Sequence, residues 1–227
     1  MMVLIKASKL EKEFNSQAGP IKVLTNINLT VQTGEFVGVV GPSGSGKSTL
    51  LYVLSGLEKA SAGEILLFGE KVGSMNDIKM NEIRREKIGF VFQFYNLLPN
   101  LTVLENVELP LVIKKSNDLN KASEILNLVG LDQFASFYPS QLSGGMQQRV
   151  AIARAMVTNP KILFADEPTG NLDHKSGTEI MKILKRLNQE QKVTIVLVTH
   201  NLDHVAYCTR KLELIDGTIG KDERVSV

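Results

Sequence analysis

One cysteine, Cys208, in 227 residues leaves no partner for an internal disulfide and too few thiols for a zinc site built from several cysteines. A reducing, cytosolic setting is the expectation. Excess charge is also scarce: 26 Lys and Arg face 24 Asp and Glu, a formal +2. That balance argues against a broad phosphate-neutralising surface, so no nucleic-acid partner is expected and any bound anion must be held locally. Long apolar runs are missing as well. Met1 to Ile5 give way at once to Lys6, Lys9, Glu11, Lys12 and Glu13, so no signal-peptide core develops. Elsewhere the longest runs, such as Ile65 to Phe68 and Ile195 to Val198, fall far short of the roughly 20 residues that span a bilayer. The chain reads as soluble, with any membrane role exerted through a partner. No internal repeat, low-complexity tract or long linker divides it, and its length suits one large domain with an inserted lobe.

Within those limits the chain changes character twice. Glu35 to Gly41, Glu64 to Phe68 and Lys87 to Phe92 are short, β-rich and bounded by Gly or charge, as strands are. From Leu101 to Val157 apolar residues recur at helical spacing, for example Ile125, Leu128 and Val129, then Met146, Val150, Ala153 and Val157. Strand-like runs return at Lys161 to Ala165 and Val193 to Thr199, separated by an amphipathic stretch carrying Ile180, Ile183, Leu184 and Leu187. Runs that are apolar throughout and alternate with helices indicate a buried parallel sheet. Near the end, Asp216-Gly217 between alternating apolar residues predicts a hairpin.

Gly41-Pro42-Ser43-Gly44-Ser45-Gly46-Lys47-Ser48 fits the pattern G-x-x-x-x-G-K-[ST] and stands between a strand ending at Val40 and a helical segment from Thr49 to Leu57. Glycines there let successive N–H groups converge on phosphate oxygens, and the positive end of the following helix adds to the field. Lys47 is suited to the β and γ phosphates and the Ser48 hydroxyl to Mg²⁺. The pattern by itself specifies only a nucleoside triphosphate, since kinases, GTPases, helicases and transport ATPases share it.

Two further segments narrow the choice. Ile162 to Ala165 run into Asp166-Glu167; an Asp ending a buried strand beside the cradle suits Mg²⁺, and a Glu directly after it suits the attacking water. Alone, that pair reads equally as a solvated strand end. Upstream, Leu142-Ser143-Gly144-Gly145-Met146-Gln147-Gln148-Arg149 opens a helical stretch. A Ser and two glycines at a helix N-terminus form a second anion site, with Ser143 as cap or phosphate ligand.

This octapeptide resembles the signature motif of the ABC ATPase family, and the resemblance extends from about Lys9 to Gly217. It implies an α/β P-loop NTPase core with a mainly parallel sheet, an N-terminal antiparallel β subdomain and an inserted α-helical subdomain. The single ABC domain would divide into core at residues 1–93 and 158–227 and helical lobe at 94–157. It also implies a head-to-tail homodimer, in which ATP and Mg²⁺ on one subunit's cradle (Gly41 to Ser48, with Thr49) are capped by the other subunit's Leu142, Ser143, Gly144, Gly145 and Gln147. By the same resemblance Gln93 touches Mg²⁺ and the attacking water, His200 is the switch histidine at the γ-phosphate, and Asp173 ends the Asn171-Leu172-Asp173 loop that crosses the interface. Phe14 occupies the place of the adenine-stacking aromatic. Catalytic roles fall on Glu167, His200 and Gln93, and metal ligation on Ser48, Gln93 and Asp166. His174 and His204 match nothing in the pattern and are expected to be solvated.

The segment Phe92 to Pro110, with Ile83 to Phe92 and Asp166 to Asp173, is similar to the branch of lipoprotein-releasing, macrolide-exporting and peptide-exporting ATPases. That branch implies peripheral attachment to the cytoplasmic face of the membrane. The partner would be an integral permease of few spans with a large extracytoplasmic domain. Phe94, Tyr95, Leu97, Leu98 and Leu101 form either a groove for a partner helix or part of the lobe's own core. A division-type relative, which activates a cell-wall hydrolase without transport, shares the same machinery and stays open as the alternative.

Overall fold

The computed structural model describes residues 2–17, 19–116, 118 and 120–225; Met1, Ser226 and Val227, at the two ends of the expected domain, lie outside them. The chain opens with two long strands, β1 (Val3–Ser16) and β2 (Gly19–Gln32), paired antiparallel. Their side chains alternate between the interior (Ile5, Leu10, Leu24, Ile27, Val31) and solvent, with register shifts where Lys9 and Asn26 take positive φ. Next come β3 (Phe36–Val40), α1 (Lys47–Leu54), β4 (Ala62–Leu67), β5 (Glu70–Lys71), α2 (Asp77–Lys87) and β6 (Ile88–Val91). Helix α2 lies in the interval between the expected strands at residues 64–68 and 87–92, and the Asn76 side chain caps it by accepting from Lys79 N.

Three helices follow: α3 (Val103–Ile113), α4 (Asn120–Leu128) and α5 (Gly144–Met156). A reciprocal capping box between Thr102 and Glu105 starts α3, and the Ser143 side chain caps α5. The chain then returns to the core as β7 (Ile162–Asp166), α6 (His174–Gln191), β8 (Thr194–Val198) and the hairpin β9 (Arg210–Ile215) and β10 (Thr218–Arg224). Asp216 and Gly217 both have positive φ in the hairpin turn, as the Asp-Gly pair predicts.

Two sheets result. One has the order β2-β1-β4-β5 and is antiparallel; the other runs β10-β9-β3-β8-β7-β6, parallel except for the terminal hairpin. The central strands β3, β7 and β8 are buried at every residue, which is why they read as continuous apolar runs. Successive residues feed opposite faces. Phe36, Leu163, Ala165, Ile195 and Leu197 join the cluster made with α3, α4, α5 and α6. Val37, Val39, Phe164, Val196 and Val198 join the one that holds α1 against the antiparallel sheet. Helix α1 is thereby enclosed between two sheets, and the loop before it is fixed at the carboxyl end of β3. Among the described residues no helix is long and apolar enough to cross a membrane.

Candidate active site

The loop from Gly41 to Gly46 turns from β3 into α1 under close constraint. A Cβ on Gly41 would lie 2.0 Å from Leu214 O, and one on Gly46 2.9 Å from Val23 O, so strands from both sheets press on it. Gly44, at φ +79°, has nothing within 4 Å of its would-be Cβ, so the crest is open. Pro42 and Ser43 are exposed beside it, and Thr49 is partly buried in the first turn of α1. Gly46 at the N-cap provides no side-chain cap, which leaves the first-turn N–H groups of α1 to an external acceptor. Ser45 Oγ is buried without a hydrogen-bond partner. The Lys47 ammonium, itself largely buried, donates to Gly41 O (3.0 Å) and Pro42 O (2.8 Å). Uncapped N–H groups, an unpartnered hydroxyl and a lysine resting on carbonyls fit a polyphosphate.

Below the loop, Ser48 Oγ donates to Asp166 Oδ1 at 2.8 Å and Tyr52 OH donates to Asp166 Oδ2 at 2.6 Å. Burial, followed by that hydrogen bond, pushes the Tyr52 phenol up from its usual range, so it stays a donor. The donor set at this point, hydroxyl and carboxylate oxygen, fits a hard cation such as Mg²⁺. Tyr52 escaped the sequence reading although the signal was present: it stands one helical turn after Ser48, on the same face of α1.

Glu167 follows β7 with φ +47°, a left-handed conformation uncommon for a glutamate, held by Glu167 N donating to Val198 O at 3.0 Å. This turn directs the carboxylate inward, where Oε2 is buried. His200 Nδ1 lies 3.0 Å from Oε2 but off the line of a hydrogen bond, so Oε2 has no hydrogen-bond partner and the two groups are simply adjacent. Gln93 lies in the bend just past β6, two residues beyond the register pair Val91 and Ala165. Its Nε2 donates to Asn171 Oδ1 (3.2 Å), and Asn171 Nδ2 donates back to Gln93 O (3.2 Å).

The signature segment is built differently. Leu142 is buried, Ser143 is exposed and accepts from Met146 N at 3.4 Å, and Gln147 Nε2 donates to Leu142 O. A Cβ on Gly144 would meet the Tyr95 hydroxyl at 2.6 Å, and one on Gly145 would meet Ser176 Cβ at 3.0 Å. Further along α5, Gln148 Nε2 donates to Phe92 O, while Arg154 donates to Asn96 O (2.6 Å) and Tyr95 O (3.0 Å). The signature helix thus holds the backbone on both sides of Gln93. Asp173 caps α6, accepting from Ser176 N and Ser176 Oγ; the hydroxyl foremost holds its carboxyl below the usual range.

The expected site does not gather at one point. Ser48 meets Asp166, His200 meets Glu167 and Gln93 meets Asn171, but the neighbours of the signature glycines are Tyr95, Leu172 and Ser176 rather than residues 41–48. Phe14 lies toward the turn end of the β1–β2 hairpin, opposite Ile21, with its ring 4.4 Å under the Lys12 ammonium. Of the apolar group after Gln93, Leu97 packs on the core whereas Phe94 (69% exposed) and Leu98 face solvent.

His204 corrects an expectation. His174 is exposed as anticipated, but His204 is buried at 8% exposure, with Nδ1 placed 3.1 Å from Thr199 Oγ1 and 3.5 Å from Thr169 Oγ1. A helical turn at Leu202–Tyr207 folds it back toward β8, which sequence periodicity over so few residues does not reveal. Burial foremost lowers its pKa, with smaller lowering from His200 and His174 against a raising effect of Asp203. All three histidines of the chain line one cleft of about 790 Å³.

The family model described as ABC transporter matches residues 24–170. An uncharacterised ABC transporter ATP-binding protein of Methanocaldococcus jannaschii, MJ0796, is 45% identical over 98% of this chain and 97% of its own. The lipoprotein-releasing system ATP-binding protein LolD of Geobacter metallireducens is likewise 45% identical, over 98% of this chain and all of its own length. Among solved structures, a dimeric post-hydrolysis state of the MJ0796 cassette bound to ADP and Pi superposes with a TM-score of 0.89 at 44% identity, covering 98% of this chain and 99% of that one. With the loop, the signature helix and the paired carboxylates all inside the matched residues 24–170, the chain belongs to the ABC transporter ATP-binding family and is an ATPase subunit.

Proposed function

We propose that two copies of this chain close head to tail around two Mg·ATP, and that closing and reopening drives a membrane permease. The observation that carries this reading is the division of the site. Each chain has a phosphate cradle assembled wholly from its own residues and, elsewhere, an exposed Ser143 at the N-terminus of α5 whose neighbours are Tyr95, Leu172 and Ser176 rather than that cradle. A second subunit's nucleotide supplies the missing ligand. Nucleotide then acts as the adhesive, so association stabilises only the ATP-bound state.

In this reading the first-turn N–H groups of α1 and Lys47 bind the β and γ phosphates, and Ser143 with Gly144 and Gly145 of the second subunit caps them from the opposite side. Ser48, Gln93 and Asp166 hold Mg²⁺, which spreads phosphate charge when bound. Glu167 takes a proton from water as its oxygen bonds to the γ-phosphorus and the bond to the β-phosphate oxygen breaks; ADP and phosphate leave. His200, beside that carboxylate, contacts the γ-phosphate. Asp173 crosses to the second subunit, and Phe14 stacks on adenine.

The output side is the segment after Gln93. Phe94 and Leu98 offer exposed apolar surface where Arg154 and Gln148 tie that segment to the signature helix, so a permease helix seated there would feel the closing of the dimer. The relatives named LolD favour a lipoprotein-like or related hydrophobic cargo, moved by a permease of few spans with a large extracytoplasmic domain. The chain would then sit peripherally on the cytoplasmic face.

Light scattering tests the dimer. Glu167→Gln with ATP should double the apparent mass, and adding Ser143→Arg should return it to the monomer. A dimer persisting in the double variant would contradict the capping role.

A further inference from the structure

We propose that Tyr52 is a positioning residue for the divalent-cation site, holding Asp166 in a pose that favours Mg²⁺ over the larger Ca²⁺. The inference rests on the assignment of Ser48 and Asp166 to the cation. Three features of the structure support it.

The first is division of labour at the carboxylate. Ser48 occupies Oδ1 and Tyr52 occupies Oδ2, one hydroxyl proton to each oxygen, at 2.8 and 2.6 Å. Hydrogen bonds to an ionised acceptor are short and strong. The Ser48 oxygen, having given its proton to Asp166, keeps its lone pairs for a cation.

The second is rigidity. Tyr52 O receives Leu57 N (2.9 Å), Glu58 N (3.1 Å) and Ser55 Oγ (3.0 Å), so its backbone is pinned at the end of α1. Its ring packs against the cluster between the two sheets. The hydroxyl is therefore delivered to Asp166 by a fixed strut rather than a mobile side chain.

The third is cation chemistry. Ca²⁺ collects more oxygen ligands than Mg²⁺ and readily takes a carboxylate through both oxygens, whereas Mg²⁺ keeps an octahedral shell with several waters. Two-oxygen chelation by Asp166 would have to draw on both oxygens while each already accepts a hydrogen bond, from Ser48 and from Tyr52, which weakens and constrains that mode. A cation held by the Ser48 oxygen and by no more than one lone pair of Asp166 leaves both hydrogen bonds undisturbed. Removing the Tyr52 proton frees Oδ2 and relaxes the discrimination.

The experiment compares full-length wild type and Tyr52→Phe in binding a non-hydrolysable ATP analogue in EDTA and across titrations of Mg²⁺ and Ca²⁺. The half-saturating concentration of each metal is the readout. Losing one charge-assisted hydrogen bond should narrow the Mg²⁺ over Ca²⁺ preference by about tenfold, chiefly through tighter Ca²⁺. Loss of packing alone would weaken both metals together and leave the ratio unchanged, which overturns the proposal. Tyr52→Met replaces the Phe variant if that variant melts early in EDTA, with the same expectation. Asp166→Asn and Ser48→Ala separate the two levels. If neither alters metal dependence, the assignment of the cation site fails. If they alter it while the Tyr52 variants keep the wild-type ratio, only the role of Tyr52 fails.

Discussion

The cradle at residues 41–48 and the signature segment at 142–149 are both glycine-rich turns at helix N-termini, yet the chain treats them in opposite ways. Around the cradle, strands from two sheets close on the backbone, Lys47 is held by two carbonyls and Ser48 is locked to Asp166. At the signature, Ser143 is exposed, and the glycines make room for Tyr95 and Ser176, which are side chains. The first is built by residues from both sheets closing around it; the second stays at the surface and is fastened to the segment around Gln93.

That contrast can be broken at the level of affinity first. Lys47→Ala should weaken ATP binding to the monomer by about a hundredfold, the scale of a charged contact to phosphate, whereas Ser143→Arg should leave it nearly unchanged. Nucleotide titration at concentrations below dimerisation checks both, and equal losses would erase the distinction.

Stability sharpens it next. A Cβ at Gly41 meets the Leu214 carbonyl, which is backbone and cannot withdraw, so Gly41→Ala should cost about 2 to 3 kcal/mol. At Gly145 the neighbour is the Ser176 side chain in the first turn of α6, and alanine's helix propensity offsets part of the crowding, so the change should stay below about 1 kcal/mol. Denaturant melts of the two variants should differ in midpoint in that order.

The smallest expected effect is one of pH. Burial lowers the pKa of His204 below its ordinary 6.5, so the unfolded chain takes up a proton that the folded chain refuses. Stability is then fully present above about 6.5 and falls as the pH drops toward the folded value. Asp203, His200 and His174 share its surroundings, and Asp203 partly opposes the shift. His204→Val should flatten the fall of the melting temperature between neutral and mildly acidic buffer; an equal slope would assign that fall to other groups.

Much of this was legible in the sequence for identifiable reasons. β3, β7 and β8 are covered on both faces, so each shows as an unbroken apolar run, and the last hairpin is announced by Asp216-Gly217. Motif spacing was legible because phosphate contact is made by backbone, which ties glycines and one lysine to consecutive positions. The β1–β2 hairpin hid better, since register shifts and irregular alternation break its period, and α2 is too polar to show a helical stripe. His204 was misjudged because a short turn folds it back onto Thr199 at the end of β8 and onto Thr169 in the loop after β7, the latter remote in sequence.

By itself the sequence marked out the groups on which the proposed chemistry rests, the glycine-rich loop with Lys47, the Asp166-Glu167 pair and the Ser-Gly-Gly start of a helix, because such motifs are residue types at fixed local spacing. Tertiary structure decided which groups meet. Parallel register brings Gln93 out beside Glu167 and sets Asp166 beneath Ser48, and only packing of α1 between two sheets gives Tyr52 to the second oxygen of that carboxylate. The pairings of Asp166 with Ser48 and Tyr52 join residues more than a hundred positions apart, and local spacing carries no record of them.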